Sequence, residues 1–442
     1  MAQIVGIEKF INYPINRQSQ GYGFRNNSPL IEWRFEPQAQ RLIDPSSLRF
    51  NGRLRILQGG NNTTLRPNNQ STVGGGAAEY SAVIDERVAI NSIIDILRLR
   101  NLKSQSIEEV RHYGRLLSSL APAQSSYDDY KTVNSMKFGA AGNEDTEGLM
   151  CNQDIIFSIP LRAGILMAGK ALNLADLGGL SLSIMLNNDQ NLIFCDTGIA
   201  GNATDGASYV IKDVSLTGNY YVMSAPAPPS NSVIEYPAFN SFMTILNSGD
   251  DQQSLNLAQK SVRTIICNTI PSSHVNNYAE NGYATPKLRN TDANGASYDT
   301  DADVLEFTFM KGAVKYPKQY TTSEREAVQN DSYEVKKNHD FLDAIKPFWT
   351  LSSSLVDPIV QGVIVNNVPD SLDVPAVNKP VTGLGVRLDG MSSGVGANYE
   401  NDNYTLRLVS QLDGKSPNTL YTFTLSNQAL KSVRGGEVMA IQ

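Results

Sequence analysis

The strongest constraint on this chain is a long series of short segments in which apolar and polar residues alternate, broken repeatedly by clusters of turn formers. The clearest is Ser47–Ile56. Leu48, Phe50, Leu54 and Ile56 share one face there, and Arg49, Asn51, Arg53 and Arg55 take the other. A period of two is the signature of a half-buried strand, because successive side chains leave a strand on opposite sides. Further strands are predicted over Ile155–Pro160, Leu180–Leu186, Asn191–Cys195 and Tyr209–Leu216, with a β-branched, apolar run over Val88–Arg100. A second series covers Ser232–Leu246, Leu255–Ile270, Val304–Phe309, Ile359–Val365, Val381–Leu388, Tyr404–Val409, Leu420–Leu425 and Glu437–Ile441. Helix signals are few. Ser106-Ile107-Glu108-Glu109 has the capping-box form, and Ile107, Val110, Leu117 and Leu120 follow at helical spacing until Pro122. The charged stretch Ser323–Leu342 is a second place for a short helix.

Many strands in series with so little helix predict β-sandwiches. With 442 residues the chain exceeds what one hydrophobic core serves, so two domains are expected. The boundary is set by Ser224-Ala225-Pro226-Ala227-Pro228-Pro229-Ser230-Asn231, since a proline cluster cannot donate to a sheet and makes a semi-rigid spacer. The expected organisation is an arm over 1–28, a first sandwich over 29–223, a linker over 224–232 and a second sandwich over 233–442. The glycine-, serine- and asparagine-rich stretches Gly59–Gly76, Ser125–Asn152 and His274–Asp303 are long exposed loops.

Charge and chemistry narrow the function. Net charge is −7, and the arm carries only Lys9, Arg17 and Arg25, so no basic stripe for nucleic-acid phosphates is present. Cys151, Cys195 and Cys267 are distant from one another and odd in number, which fits small buried hydrophobes of a reducing compartment better than a disulfide framework. The start Met1-Ala2-Gln3-Ile4 does not read as a signal peptide, so the sequons at Asn26, Asn61, Asn202 and Asn403 are expected to be unmodified. No apolar run reaches the length of a membrane-spanning helix.

Catalytic motifs are absent from the sequence. Only His112, His274 and His339 are available, and no G-x-S-x-G elbow, phosphate loop or dinucleotide fingerprint occurs; Gly383-Leu384-Gly385 lacks the third glycine. His112 reads as a solvated side chain on the predicted helix. No cofactor is expected. The one weak metal candidate is Asp299, Asp301 and Asp303, with Asp292 and Asn294 nearby, whose alternating hard oxygens suit Ca²⁺. Val304 and Met310 stand where a calcium-binding EF-hand needs Gly and Glu, so a solvated acidic loop is the simpler reading. Tyr220-Tyr221 and the pair Tyr278 and Tyr283 could stack on sugar rings, but tyrosines of this kind more often pack at strand ends and interfaces.

Three stretches carry a resemblance. Leu42–Ile56 places an Asp/Ser turn before alternating residues and Gly52. Ile90–Leu120 runs from a strand into Ser106-Ile107-Glu108-Glu109-Val110-Arg111-His112-Tyr113-Gly114-Arg115-Leu116. Ser158-Ile159-Pro160-Leu161-Arg162-Ala163-Gly164-Ile165-Leu166 leads toward Leu186, with a weaker echo in Asn398–Arg407. In this order and spacing they resemble the double jelly-roll major capsid proteins of double-stranded DNA viruses, especially the virophage and polinton-like group. The resemblance implies an all-β chain of two consecutive jelly-rolls with short helices in loops. It also implies homotrimers that act as pseudo-hexamers in an icosahedral shell, with the protein made inside a host cell and located in the virion. Neighbouring capsomers, penton and minor capsid proteins would be its partners, with the host receptor unknown and an underlying membrane left open. Rival readings are a secreted carbohydrate-binding or adhesin-type sandwich, a minor capsid or penton protein, and an enzyme on a jelly-roll scaffold.

Overall fold

The computed structural model describes residues 3–57, 82–84, 88–124, 154–195, 207–226, 233–247, 252–278, 282–283, 290–291, 297–298, 304–322, 325–328, 332–335, 343–344, 384–388, 396, 398, 404–410, 417–433 and 437–441, apart from 163, 168, 256 and 258. Among the described residues, eight main strands build the first half: β1 (Ile4–Asn12), β2 (Leu30–Phe35), β3 (Arg41–Leu57), β4 (Ile94–Arg100), β5 (Ser106–Arg111), β6 (Asp154–Pro160), β7 (Leu180–Leu186) and β8 (Ser208–Met223). Eight build the second: β9 (Val233–Leu246), β10 (Gln252–Leu255), β11 (Val262–Pro271), β12 (Val304–Lys311), β13 (Val314–Thr322), β14 (Leu384–Arg387), β15 (Tyr404–Ser410) and β16 (Asn418–Val433). A last strand, β17 (Glu437–Ile441), pairs with β16.

The first half forms two antiparallel sheets in the orders β1-β8-β3-β6 and β2-β7-β4-β5; the second forms β9-β16-β11-β14 and β10-β15-β12-β13. Adding eight to each strand number turns one pair of orders into the other. Each half is therefore a complete eight-stranded jelly-roll, and the chain is a double jelly-roll. The repeat lives in topology, not in aligned residues.

Local sequence explains the best-formed strands. Leu180, Leu182, Ile184 and Leu186 of β7 are buried while Ser181, Ser183 and Met185 are half-buried, as the alternation predicts. In β3 the arginine face and the Leu/Phe/Ile face separate in the same way. A shift in the pairing of β3 with β8 falls across Pro45, which has no amide to offer; the Asp44 carboxylate accepts from the Ser46 amide at 3.1 Å instead.

Several expectations need correction. Ser106–Arg111, expected to open a helix, is strand β5, and Glu109 pairs across the ladder with Arg98 at 2.7 Å rather than capping Ser106. The spacing of Ile107 and Val110 suits a helix face; in the strand the two lie on opposite faces, both buried, and pairing with β4 decided the outcome. The helix α1 starts later and spans Tyr113–Gln124, passing Pro122. His112 is not a solvated helix residue: it holds a left-handed turn (φ 53°) between β5 and α1, and its carbonyl accepts the Arg115 and Leu116 amides. The strand expected over Asn191–Cys195 is a helical turn, Asp189–Leu192, followed by the two-residue strand Phe194–Cys195. Within Ser323–Leu342 lies a hairpin of Arg325–Val328 and Ser332–Val335. Residues 4–12, expected within an arm, form β1 and pair along β8. The strand expected over Ile359–Val365, the Gly59–Gly76 and Ser125–Asn152 loops, most of the Pro-rich linker, Cys151 and His339 lie outside the described residues. No helix among the described residues is long and apolar enough to cross a membrane.

Candidate functional site

The two rolls are joined through one face. On the outer side of the second roll's sheet, Phe239 of β9, Tyr421, Phe423 and Leu425 of β16, and Ile266 and Ile270 of β11 are all buried. They belong to the same hydrophobic cluster as the first roll's core. The inner side of that sheet, with Leu246, Ile265, Cys267 and Leu420, packs into a separate core of the second roll alone. β9 runs against β5 and against the short turn of helix at Ile165–Met167, both in the first roll.

Polar groups also cross the joint. The Glu108 carboxylate of β5 is completely buried and accepts backbone amides from Gly164 (3.0 Å), Ile165 (3.0 Å) and, in the other roll, Phe239 (3.2 Å). Burial pushes its pKa up to about 7, against the downward pull of those three amides. The Tyr236 hydroxyl donates to the Ile107 carbonyl at 3.0 Å, so β9 reaches β5 at Ile107 as well as at Glu108. A Cβ on Gly164 would overlap the Pro237 carbonyl oxygen, which explains the glycine at this close approach.

A second tie lies along α1. The Arg115 guanidinium sits 4.3 Å from the Tyr421 ring centre and 5.1 Å from that of Tyr283, and it donates to the Gly282 carbonyl. Asn268 of β11 donates to the Ser119 hydroxyl of α1. Tyr283 donates to the Ser92 carbonyl at 3.0 Å and accepts from Asn187 at 2.7 Å, while Tyr278 donates to the Ala207 carbonyl at 2.5 Å. These tyrosines fasten the segment after β11 onto the first roll and leave no ring face for a sugar. Tyr220 is likewise buried beside Phe10, 4.4 Å between ring centres, and Tyr221 donates to Asp44. His112 lies 3.4 Å from Asp95 and its ring meets Tyr421 edge-on.

The equivalent outer face of the first roll is open. Val5, Ile7 and Ile11 of β1 point outward and are exposed, as is Ile156 of β6 on the far edge, at 70% of its surface. Cross-strand register sets Ile11 beside Thr217, Thr217 beside Arg49, and Arg53 beside Ile156. The middle of the face is polar and satisfied internally: Arg53 pairs with Asp213 at 3.0 Å and Arg55 with Asp154 at 2.6 Å.

Asp299, Asp301 and Asp303 lie outside the described residues, as do Asp292 and Asn294. Among the described residues no group of three or more His, Cys, Asp or Glu is placed to hold a metal. Cys267 is buried in the second core with its thiol pushed up to about 12, the state of an inert packing group.

No family model matches the chain, and no curated protein does. Solved structures do. The chain is similar to the Faustovirus major capsid protein at 10% identity and a TM-score of 0.57, over 97% of this chain and 90% of that one. It is similar to PBCV-1 VP54 fitted into a cryo-EM reconstruction of the virophage Sputnik, at 11% identity and 0.56, over 99% and 96%. A chain of the Sputnik virophage solved by cryo-EM gives 12% identity and 0.56, over 99% and 88%. The likeness is one of fold and runs through nearly the whole of each chain.

Proposed function

We propose that this chain is a major capsid protein, a structural subunit that associates with further copies of itself to tile an icosahedral virus shell. One observation carries the reading: the two rolls share one strand order, and the sheet face that the second roll buries on the first is the face that the first roll leaves open. The contact between the rolls is head-to-tail. Such a contact, repeated between chains, either closes a ring or runs on as a filament. If the outer face of β1-β8-β3-β6 seats on the β13 side of another copy's second roll, as β9-β16-β11 seats on β5, then six rolls from three chains complete a ring. A homotrimer with pseudo-hexagonal outline is the natural closure, and neighbouring capsomers, vertex and minor shell proteins are the partners such a tile would meet. The structural likeness to the Faustovirus and PBCV-1 proteins supports the reading.

The domain division that accompanies it is a first roll ending at Met223, a proline-rich linker over 224–232 and a second roll from Val233. Light scattering after size exclusion tests the assembly: a mass near three times 48.2 kDa is expected. A strict monomer at high concentration would favour a binding module, and a pentamer would favour a vertex protein. No specific observation favours catalysis.

A further inference from the structure

We infer that Glu108 is a proton-operated latch between the two rolls, closed when its carboxyl is neutral and loosened when the carboxyl ionises. Glu108 is a buried carboxylate at the joint of the two sandwiches, and its partners come from both: Gly164 and Ile165 of the first roll, Phe239 of the second. All three are backbone amides. The titratable side chains that face it are Tyr113 of α1 and Tyr236 of β9, both raised by burial and neutral, so neither balances a negative charge. Arg162 acts on Tyr113, whose hydroxyl accepts the Arg162 amide at 2.7 Å. An ionised group held this way has three amide hydrogen bonds but has lost its water, and burial outweighs the bonds.

The sign follows. The folded protein holds the Glu108 proton more tightly than the unfolded chain does, so the joint is firmest below the ordinary glutamate range. That firmness is lost as pH rises from there through about 7, where the buried group ionises. Opening the joint hydrates the carboxylate, so alkaline solution favours the opened form. Phe239 is the residue that feels this first, because its amide is the one Glu108 contact that crosses between rolls. The latch is a property of the single chain. Its consequence, that the angle between the rolls and hence the fit of the tile responds to pH, rests on the capsid reading.

Hydrogen–deuterium exchange of the full-length protein tests it, read by mass spectrometry on peptides containing Gly164–Ile165 and Phe239 and corrected for intrinsic exchange. Between about pH 6 and about pH 8 the protection of these amides in the wild type should fall about tenfold, the ratio that linkage gives for this shift. The amide of Cys267, inside the second roll's own core, should hold. Glu108→Gln, which cannot ionise, should show the same protection at both pH values. Wild-type protection that is flat at Phe239, or that falls equally at Cys267, would overturn the latch. So would a fall that persists undiminished in Glu108→Gln. If that variant does not fold, the wild-type contrast between Phe239 and Cys267 decides alone. Mass measured on the same samples separates the two ideas: trimers with flat protection sink the latch only, and monomers with the expected fall sink the capsid reading only.

Discussion

The two outer sheet faces have the same strand order and opposite chemistry. On the second roll the face is aromatic and aliphatic, with Phe239, Tyr421, Phe423, Leu425, Ile266 and Ile270 all buried against the first roll. On the first roll the corresponding face exposes large aliphatic groups at its edges, with Val5, Ile7 and Ile11 on one side and Ile156 on the other. Between them lie Arg49, Asn51, Arg53 and Arg55 of β3, two of them in ion pairs. On the proposed assembly, the difference reflects when each face is covered. A face that closes during folding is never exposed in the finished subunit and can be as apolar as a core. A face that closes only on assembly must stay soluble until a second copy arrives, and apolar edges around a charged centre meet that need.

The contrast is broken most directly at its buried side. Phe423→Ala should lower folding stability by about 3–5 kcal/mol, because it removes a large side chain shared by the two rolls and leaves a cavity. A urea titration followed by tryptophan fluorescence measures this, since Trp33 is buried in the same cluster. A loss below about 1 kcal/mol would mean that the joint is not part of the folding core. Gly164→Ala comes next, with about 3 kcal/mol expected, because the added Cβ meets the Pro237 carbonyl backbone and cannot be relieved by a rotamer change. Limited proteolysis in the linker over 224–232 should accelerate in this variant while each roll stays folded.

How much of this was legible beforehand depends on where each residue's partner lies. β7 could be read from its own letters because one face is dry and the other wet. β1 could not, since Val5, Ile7 and Ile11 on its outer side are as apolar as Phe10 on its inner side, which erases the period. On the proposed assembly, that missing alternation is the trace of a face covered by a second copy. Glu108 and Glu109 read together as part of a capping box, yet one is buried and the other pairs with Arg98. The amides that hold Glu108 belong to the backbone, which every sequence carries alike, so no motif could announce the joint. Tyr278 and Tyr283 were visible as candidates, but what they bind is Ala207 and Ser92, more than fifty residues distant in sequence.

The exposed side sharpens the comparison with smaller effects on folding and a larger one on assembly. Ile7→Asp and Ile11→Asp should leave the urea midpoint of the subunit within about 0.5 kcal/mol of wild type, because both side chains are in water already. If the protein trimerises through this face as proposed, the same variants lower the light-scattering mass toward monomer at equal concentration. An unchanged mass would show that a different face closes the ring, and a large drop in folding stability would show that β1 is packed more firmly than its exposure indicates.

The smallest effect is expected at the charged centre of that face. The Arg55 guanidinium, 2.6 Å from Asp154, holds the Asp154 carboxyl below the ordinary aspartate range. A depressed value means that the pair's contribution is present above that range and disappears as pH falls through it. Both groups are open to solvent, so the contribution is screened by salt and small. Asp154→Asn should therefore shift the thermal midpoint slightly near neutral pH and not at all in strong acid, where the wild-type carboxyl is already protonated. The same substitution leaves Arg55 unpaired on the face proposed to meet a second copy, so assembly should become more sensitive to salt than folding is. Equal salt dependence of mass and thermal midpoint would mean that this ion pair serves the subunit alone and that the charged centre takes no part in the contact between chains.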